Sequence, residues 1–161
     1  MGRIRIVWAR IWEVMGQHFT MVGCHKNLSI AMYAIDSLRQ LAMKFLAKDE
    51  LANFHFQKDF LKPFESIIQQ HTSIQTRDMC IRCLSNMVQA QAQNMKSGWK
   101  SIFAVLSFAA TDTNEKIVRL AFELVESIMS KHFKLIADSF FVECVNCLIA
   151  FAKAQHFKDI R

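Results

Sequence analysis

The residues of this chain best suited to chemistry are two pairs of cysteines. Cys80 and Cys83 form one Cys-x-x-Cys motif, and Cys144 and Cys147 form another. Four thiolates are a common ligand set for structural zinc, but zinc-binding pairs occupy turns. Both pairs here lie on the apolar stripes of predicted helices. We therefore predict reduced, buried thiols and no metal site, with a zinc- or redox-sensing element as the alternative.

Other catalytic patterns are missing from the sequence. The six histidines form no His-x-x-x-His or His-Glu-x-x-His spacing, and there is no Gly-x-Ser-x-Gly, P-loop or Gly-x-Gly-x-x-Gly motif. Four glycines in 161 residues leave little material for a loop that cradles phosphate. We predict that the chain is not an enzyme and binds no cofactor.

A helical phrase occurs three times along the chain. Each copy opens with a small residue and a large apolar residue, and further apolar residues follow three and six positions later. The copies begin at Ala34, Cys80 and Ala121, which are 46 and 41 residues apart. HEAT and armadillo repeats have periods of about 40–47 residues and stack into superhelices that present binding surfaces. We predict an all-α, HEAT/armadillo-like helical-repeat superhelix of about three to four helix pairs, forming a single domain over residues 1–161.

Apolar residues at three- and four-residue spacing place the individual helices. They are predicted at 3–23, 28–47, 73–93, 97–110, 113–132 and 139–154, with a short helix starting at Asp49-Glu50. Pro63 is predicted to kink a helix or to open a new one. The predicted N-caps are Asn27, Thr72 (a capping box with Gln75), Ser97, Asp112 (with Glu115) and Asp138.

Composition and charge narrow the classes of partner. The chain is 52% hydrophobic and has one Pro, yet no apolar run is long enough to cross a bilayer and no secretory signal is present. The net charge of +6 favours anionic partners. The densest basic groups are Lys131/Lys134 and Lys153/Lys158/Arg161. Because most of the 14 Phe fall on apolar stripes, we predict no nucleic-acid interface.

Two kinds of surface remain as candidates for binding. Trp8, Trp12 and Trp99 are predicted core residues, with a docking role as the alternative. The second helix of each repeat carries mixed charges at aligned positions, which suggests a protein-binding face, with an ordinary solvated face as the alternative. These positions are Asp36, Arg82, Glu123, Arg39, Ser85, Glu126, Gln40, Asn86 and Ser127.

Five stretches together resemble one protein family. They are RIRIVWARIW from Arg3, NLSIAMYAIDSLRQL from Asn27, FLKPFE from Phe60, SGWK from Ser97 and CVNCLIAF from Cys144. These are similar to the large, brefeldin-A-inhibited guanine nucleotide exchange factors for Arf GTPases, the BIG/Sec-seven class. The similarity covers essentially the whole chain. It places the chain in the first homology region downstream of the catalytic domain, within a much longer protein. The catalytic glutamate of the family has no counterpart here.

The resemblance implies a regulatory and recruitment module rather than an exchange enzyme. Its implied roles are autoinhibition and recruitment to trans-Golgi membranes, as a cytoplasmic protein bound peripherally. The implied partners are GTP-bound Arf, the catalytic domain of the parent protein and an anionic membrane. A purely structural spacer is the alternative. The partner-binding candidates are polar residues inside the family-like stretches: Asn27, Asp36, Arg39, Gln40, Lys62, Glu65 and Lys100.

Overall fold

The computed structural model describes residues 2–48 and 56–154, and within these ranges the chain forms seven α-helices and no strand. One 3-10 turn, Ala92–Asn94, lies between the fourth and fifth helices. The predicted all-α class is confirmed. The helices are α1 Gly2–Gly23, α2 Leu28–Leu46, α3 Phe56–Gln70, α4 Ile74–Gln91, α5 Gly98–Ala109, α6 Glu115–Ile136 and α7 Phe141–Ala152.

These helices stack in two layers. The first layer runs α1, α3, α5 and α7, and the second runs α2, α4 and α6, with each helix packed against the next in its layer. Helices α1/α2, α3/α4 and α5/α6 pair across the layers, and α7 occupies the place of the first helix of a fourth pair. The three copies of the helical phrase therefore lie in equivalent helices, which confirms a helical repeat.

The small residue that opens each phrase has a packing role. Ala34, Cys80 and Ala121 are all buried on second-layer helices. The large apolar residues that follow in α2 and α4, such as Ile35 and Ile81, are fully buried as well. Burying an Ile or Leu side chain contributes about 1.5–3 kcal/mol. The repeated phrase is thus the sequence signature of the shared core.

Two of the predicted N-cap positions, Asn27 and Ser97, are confirmed. Asn27 Oδ1 accepts hydrogen bonds from the backbone N–H groups of Ser29 (3.0 Å) and Ile30 (3.3 Å), and α2 starts where predicted. Three others were wrong. The N-cap of α4 is Ser73 rather than Thr72, that of α6 is Asn114 rather than Asp112, and that of α7 is Phe140 rather than Asp138. Ser97 is the N-cap residue of α5, as predicted, but its side chain forms no capping hydrogen bond; its Oγ accepts from the backbone N–H of Lys58 at 3.2 Å.

For α4 and α6, the reason is a turn that the sequence analysis missed. In each loop that leads into the second layer, a side chain two residues before the N-cap accepts the backbone N–H of the N-cap residue. These bonds are Asn27 N to His25 Nδ1 (3.0 Å), Ser73 N to His71 Nδ1 (3.0 Å) and Asn114 N to Asp112 Oδ1 (2.8 Å). The three acceptors are 46 and 41 residues apart, so the repeat extends into the turns.

Pro63 lies inside α3 and does not open a new helix. Because proline has no N–H, the carbonyl of Asp59 loses its donor within the helix. Trp12 of α1 supplies one: its Nε1–H donates to Asp59 O at 3.0 Å, and its ring stacks on Phe60 with centroids 3.8 Å apart. Trp12 is buried, as predicted, and it joins α1 to α3. Trp8 was also predicted in the core, but it is 40% exposed.

We expect Trp12→Phe to lower the free energy of unfolding by about 1–3 kcal/mol, because the Asp59 carbonyl loses its donor. Urea denaturation measures this cost. Pro63→Ala restores a backbone donor to the same carbonyl, so Trp12→Phe should cost less in the Pro63→Ala background. Equal costs in the two backgrounds would show that the indole N–H does not replace the missing helical bond.

Several predictions fall outside the described residues. They are the short helix at Asp49-Glu50 and the basic residues Lys158 and Arg161. The chain between α2 and α3, which would distinguish HEAT from armadillo repeats, lies there too.

Candidate functional site

Three candidate residues on α2 form one hydrogen-bonded cluster. Asp36 Oδ1 accepts from Arg39 Nε (3.0 Å) and Nη2 (2.8 Å), and Asp36 Oδ2 accepts from Gln40 Nε2 (2.7 Å). The bonds from Arg39, and then that from Gln40, lower the pKa of Asp36. The carboxylate is therefore ionised at neutral pH, and the cluster presents both signs of charge to solvent.

The mixed charge continues across the neighbouring second-layer helices. On α4, Arg82 Nε lies 2.6 Å from Asp78 Oδ2. The hydrogen bond and charge of Asp78, and more weakly the charge of Glu123 on α6, raise the pKa of Arg82. We call these residues, Asp36, Arg39, Gln40, Asp78, Arg82 and Glu123, the charged row. Exposed ion pairs of this kind contribute only about 0–1 kcal/mol to stability, so folding alone does not require them.

The remaining candidates lie elsewhere. Lys62 and Glu65 are on α3 and Lys100 is on α5, both in the first layer. Lys100 Nζ is 3.9 Å from Glu143 Oε1, which links α5 to α7. Asn27 caps α2 in a loop. The seven candidates therefore do not form one surface, because the sequence stretches that suggested them cross both layers.

An open cleft of about 880 Å³ lies between α1 and α3 in the first layer. Its walls include Thr20 of α1 and Ser66 of α3, and Lys62 is the candidate residue that lines it. Gly16 keeps the floor open, because a Cβ there would lie 3.3 Å from Trp12 Nε1 and 3.7 Å from Pro63 Cγ. The cleft therefore lies beside the Trp12–Asp59 hydrogen bond that joins the two helices.

The four cysteines of the two Cys-x-x-Cys motifs are buried free thiols, as predicted, and Cys24 is half-buried. Burial raises the pKa of Cys83 to about 12 and that of Cys147 to about 11. The two pairs belong to different layers, on α4 and α7. In residues 2–48 and 56–154, no three His, Cys, Asp or Glu side chains cluster in a way that could hold a metal ion.

We expect native labelling with a thiol reagent at pH 8 to modify one cysteine, Cys24. Burial raises the pKa of all five thiols, but only Cys24 is partly accessible to solvent, and the reagent must reach the thiolate, which is the reactive species. All five should react after unfolding. Mass spectrometry counts the adducts, and Cys24→Ser should abolish native labelling. A second cysteine that reacts as fast as Cys24 would contradict the packing of α4 or α7.

A buried glutamine organises the SGWK stretch. Gln57 Oε1 accepts from the backbone N–H groups of Lys96 (2.7 Å) and Gly98 (3.2 Å), and Gln57 Nε2 donates to Asn94 O (2.8 Å). A Cβ at Gly98 would lie 3.2 Å from Gln57 Oε1, so the glycine permits this close approach. Trp99 is fully buried, as predicted. The stretch therefore serves to position α5.

The sequence analysis also missed a buried ion pair that connects two loops. Arg77 Nε lies 2.8 Å from Asp112 Oδ2, and the two side chains are only 13% and 5% exposed. Arg77 Nη1 also donates to Thr72 O at 2.7 Å. The loop before α4 is thereby fixed to the loop before α6. No local pattern marks these residues, because the partners are far apart in sequence.

Comparison with known proteins identifies the family. The sequence model of the Mon2/Sec7/BIG1-like HDS family matches residues 44–127. The chain belongs to this family. The HDS match runs from the end of α2 into α6, so it includes Arg82 and Glu123 of the charged row but not Asp36.

Curated relatives agree with the HDS assignment. The chain is 53% identical, over 99% of its length, to brefeldin A-inhibited guanine nucleotide-exchange protein 1 of Homo sapiens and of Rattus norvegicus. It is 47% identical over the same share to brefeldin A-inhibited guanine nucleotide-exchange protein 3 of Arabidopsis thaliana. The chain spans only 9% of the length of each relative. The predicted resemblance is confirmed: this is a region of the BIG class of Arf exchange factors.

No helix in the described part of the chain combines the length and apolar character needed to span a bilayer.

Proposed function

We propose that this chain is a non-catalytic regulatory and recruitment module of a large Arf exchange factor, and that it binds GTP-bound Arf. Nucleotide exchange is carried out by a separate domain of the parent protein. Membership of the HDS family and the helical-repeat architecture support this assignment. The observation that carries it is the charged row, which spans three adjacent helices of one layer.

The composition of the charged row favours a protein partner. Asp36, Asp78 and Glu123 alternate with Arg39 and Arg82, so the row has no dominant sign. A surface built for anionic lipid would concentrate Lys and Arg, each contributing about 1 kcal/mol near the membrane. Complementary charges on a protein, in contrast, determine specificity and the rate of association. The net charge of +6 then adds a weaker attraction to the anionic leaflet of the trans-Golgi network.

Autoinhibition follows if the same row binds the catalytic domain of the parent protein when Arf-GTP is absent. The two partners would then compete for one face. Recruitment by Arf-GTP would release the catalytic domain at the membrane where its product accumulates.

Liposome flotation tests the proposal. Anionic vesicles carrying lipidated Arf, loaded with GTP or GDP, are mixed with the chain and floated. We expect flotation with Arf-GTP and not with Arf-GDP. Flotation with both nucleotides, or with vesicles lacking Arf, would assign recruitment to membrane charge alone. No flotation at all would contradict recruitment by Arf.

A charge swap locates the binding face. We expect Asp36→Lys/Arg39→Glu to weaken binding to Arf-GTP by about ten-fold, because complementary charges become like charges. The matched control, Lys100→Glu/Glu143→Lys, swaps an exposed pair in the other layer and should leave affinity unchanged. Both swaps preserve net charge. Affinity is measured by calorimetry, and far-UV circular dichroism checks the fold.

The control also distinguishes the two groups of candidate residues. A loss only in the Lys100/Glu143 swap would move the site to the first layer. Unchanged affinity in both variants would exclude the charged row and the Lys100–Glu143 pair.

A structural spacer is the second candidate function. The Arg77–Asp112 pair and the repeated turns fix the orientation of adjacent helix pairs, as a rigid spacer requires. This function predicts no affinity for Arf in either nucleotide state.

A further inference from the structure

Helix α1 carries two apolar stripes, and its neighbours cover only one of them. Trp12, Met15 and Phe19 pack into the core against α2 and α3. The second stripe consists of Val7, Ile11, Val14 and Met21, all exposed, with Val14 70% and Met21 65% accessible. We call these four residues the outer seam. No described helix packs along it.

The outer seam has the spacing of a coiled-coil interface. Val7, Ile11, Val14 and Met21 are separated by four, three and seven residues, which are a and d positions of a heptad, and His18 occupies the remaining a position. Such a stripe is about one residue wide and suits the side chains of a single facing helix. This geometry indicates a helix as the partner.

The residues beside the outer seam indicate which charge the partner helix carries. Arg3, Arg10 and Gln17 follow one another at seven-residue spacing, in the g positions beside the outer seam, and all three are exposed. Neither arginine forms an ion pair with any described residue. In coiled coils, charges at these positions select the partner, and cations select acids. We propose that the outer seam of α1 is a docking site for one further α-helix whose own apolar heptad stripe is flanked by acidic side chains.

Two other occupants fit less well. If the occupant were a second copy of this chain, an antiparallel arrangement would place its arginines opposite Arg10. A parallel arrangement would place its Trp8 or Met15 opposite Arg10. Neither arrangement offers Arg10 an acidic side chain. A membrane surface requires a broad apolar face. Here the seam is interrupted by His18 and bordered on one side by Arg10 and Gln17, with Ile6 and Glu13 beyond them, and on the other by the body of the protein.

Synthetic helices test the proposal without reference to Arf. The probe is a peptide of about three heptads with Leu at a and d and Glu at e and g; its twin carries Lys at e and g. Fluorescence anisotropy measures the binding of each peptide to the 161-residue chain. We expect the Glu peptide to bind about ten-fold more tightly than the Lys twin at low salt. Arg10→Glu should reduce that preference.

A matched pair of variants tests the seam itself. Val14→Asp should weaken binding of the Glu peptide by at least about ten-fold, because the substitution places a charge in the apolar contact. Val142→Asp on α7 is the control: Val142 is 66% exposed, close to the 70% of Val14, but lies at the other end of the array. Both positions are solvent-exposed, and circular dichroism confirms folding of each variant.

Three results would overturn the proposal. The first is equal affinity for the Glu and Lys peptides, or peptide binding that Val14→Asp leaves unchanged. The second is a dimer in sedimentation velocity that Val14→Asp dissociates, which would assign the seam to a second copy. The third is binding to phosphatidylserine vesicles that Val14→Asp abolishes, which would assign it to lipid.

Discussion

Arg77→Ala is expected to lower the free energy of unfolding by about 3–5 kcal/mol, among the largest effects of any single polar substitution in this chain. Arg77 and Asp112 are almost fully buried, and the carboxylate also accepts the N–H of Asn114. Removing the guanidinium leaves a buried carboxylate without its counter-charge and frees the loop before α4 from the loop before α6. Chemical denaturation monitored by circular dichroism measures the loss.

The exposed pair on α4 is the control. Arg82→Ala removes the same side chain from an ion pair with Asp78 whose arginine is 64% exposed. We expect a cost below about 1 kcal/mol there, because water replaces the lost partner. Equal costs for the two arginine substitutions would show that the loop-to-loop pair does not stabilise the fold.

The second large effect is expected from Gln57→Leu. This substitution keeps the volume of the side chain but leaves Asn94 O, Lys96 N and Gly98 N without their partner. Unsatisfied buried groups cost about 1–3 kcal/mol each, so we expect a loss of about 3 kcal/mol after partial relaxation. Thermal unfolding and hydrogen exchange at the amides of Lys96 and Gly98 report it.

Gln69→Leu, on the same helix but at an exposed position, makes the matched comparison. It should change stability by less than about 0.5 kcal/mol. If Gln57→Leu were equally mild, or if the amides of Lys96 and Gly98 kept their protection, the glutamine would not organise the start of α5.

The sequence predicted the helices well where periodicity and local chemistry agree. The bounds of α2 came within one residue at its C-terminal end, because an apolar stripe and the Asn27 cap define them. The period of the phrase also placed α2, α4 and α6 in equivalent positions. The caps of α4 and α6 were wrong because several polar residues cluster in those loops, and the turn geometry decides which of them becomes the cap. The cap of α7 is Phe140, which no polar pattern marks.

Long-range polar contacts could not be predicted. Gln57 and Arg77 look like ordinary helix residues, and their partners lie 35 to 41 positions away. Periodicity assigns a residue to a face of its helix, but not to a loop of the next repeat. For the same reason, the seven binding candidates were chosen by stretch, and the structure divides them between two layers.

The three tryptophans give the chain distinct optical reporters. Trp8 is 40% exposed beside the outer seam. Trp12 is buried and its N–H donates to Asp59 O, and Trp99, on α5, is buried in the core. A water-soluble quencher reaches Trp8 but neither of the others. In unmodified protein, loss of quenching therefore signals that something covers α1, whereas the emission of Trp12 and Trp99 reports the integrity of the core.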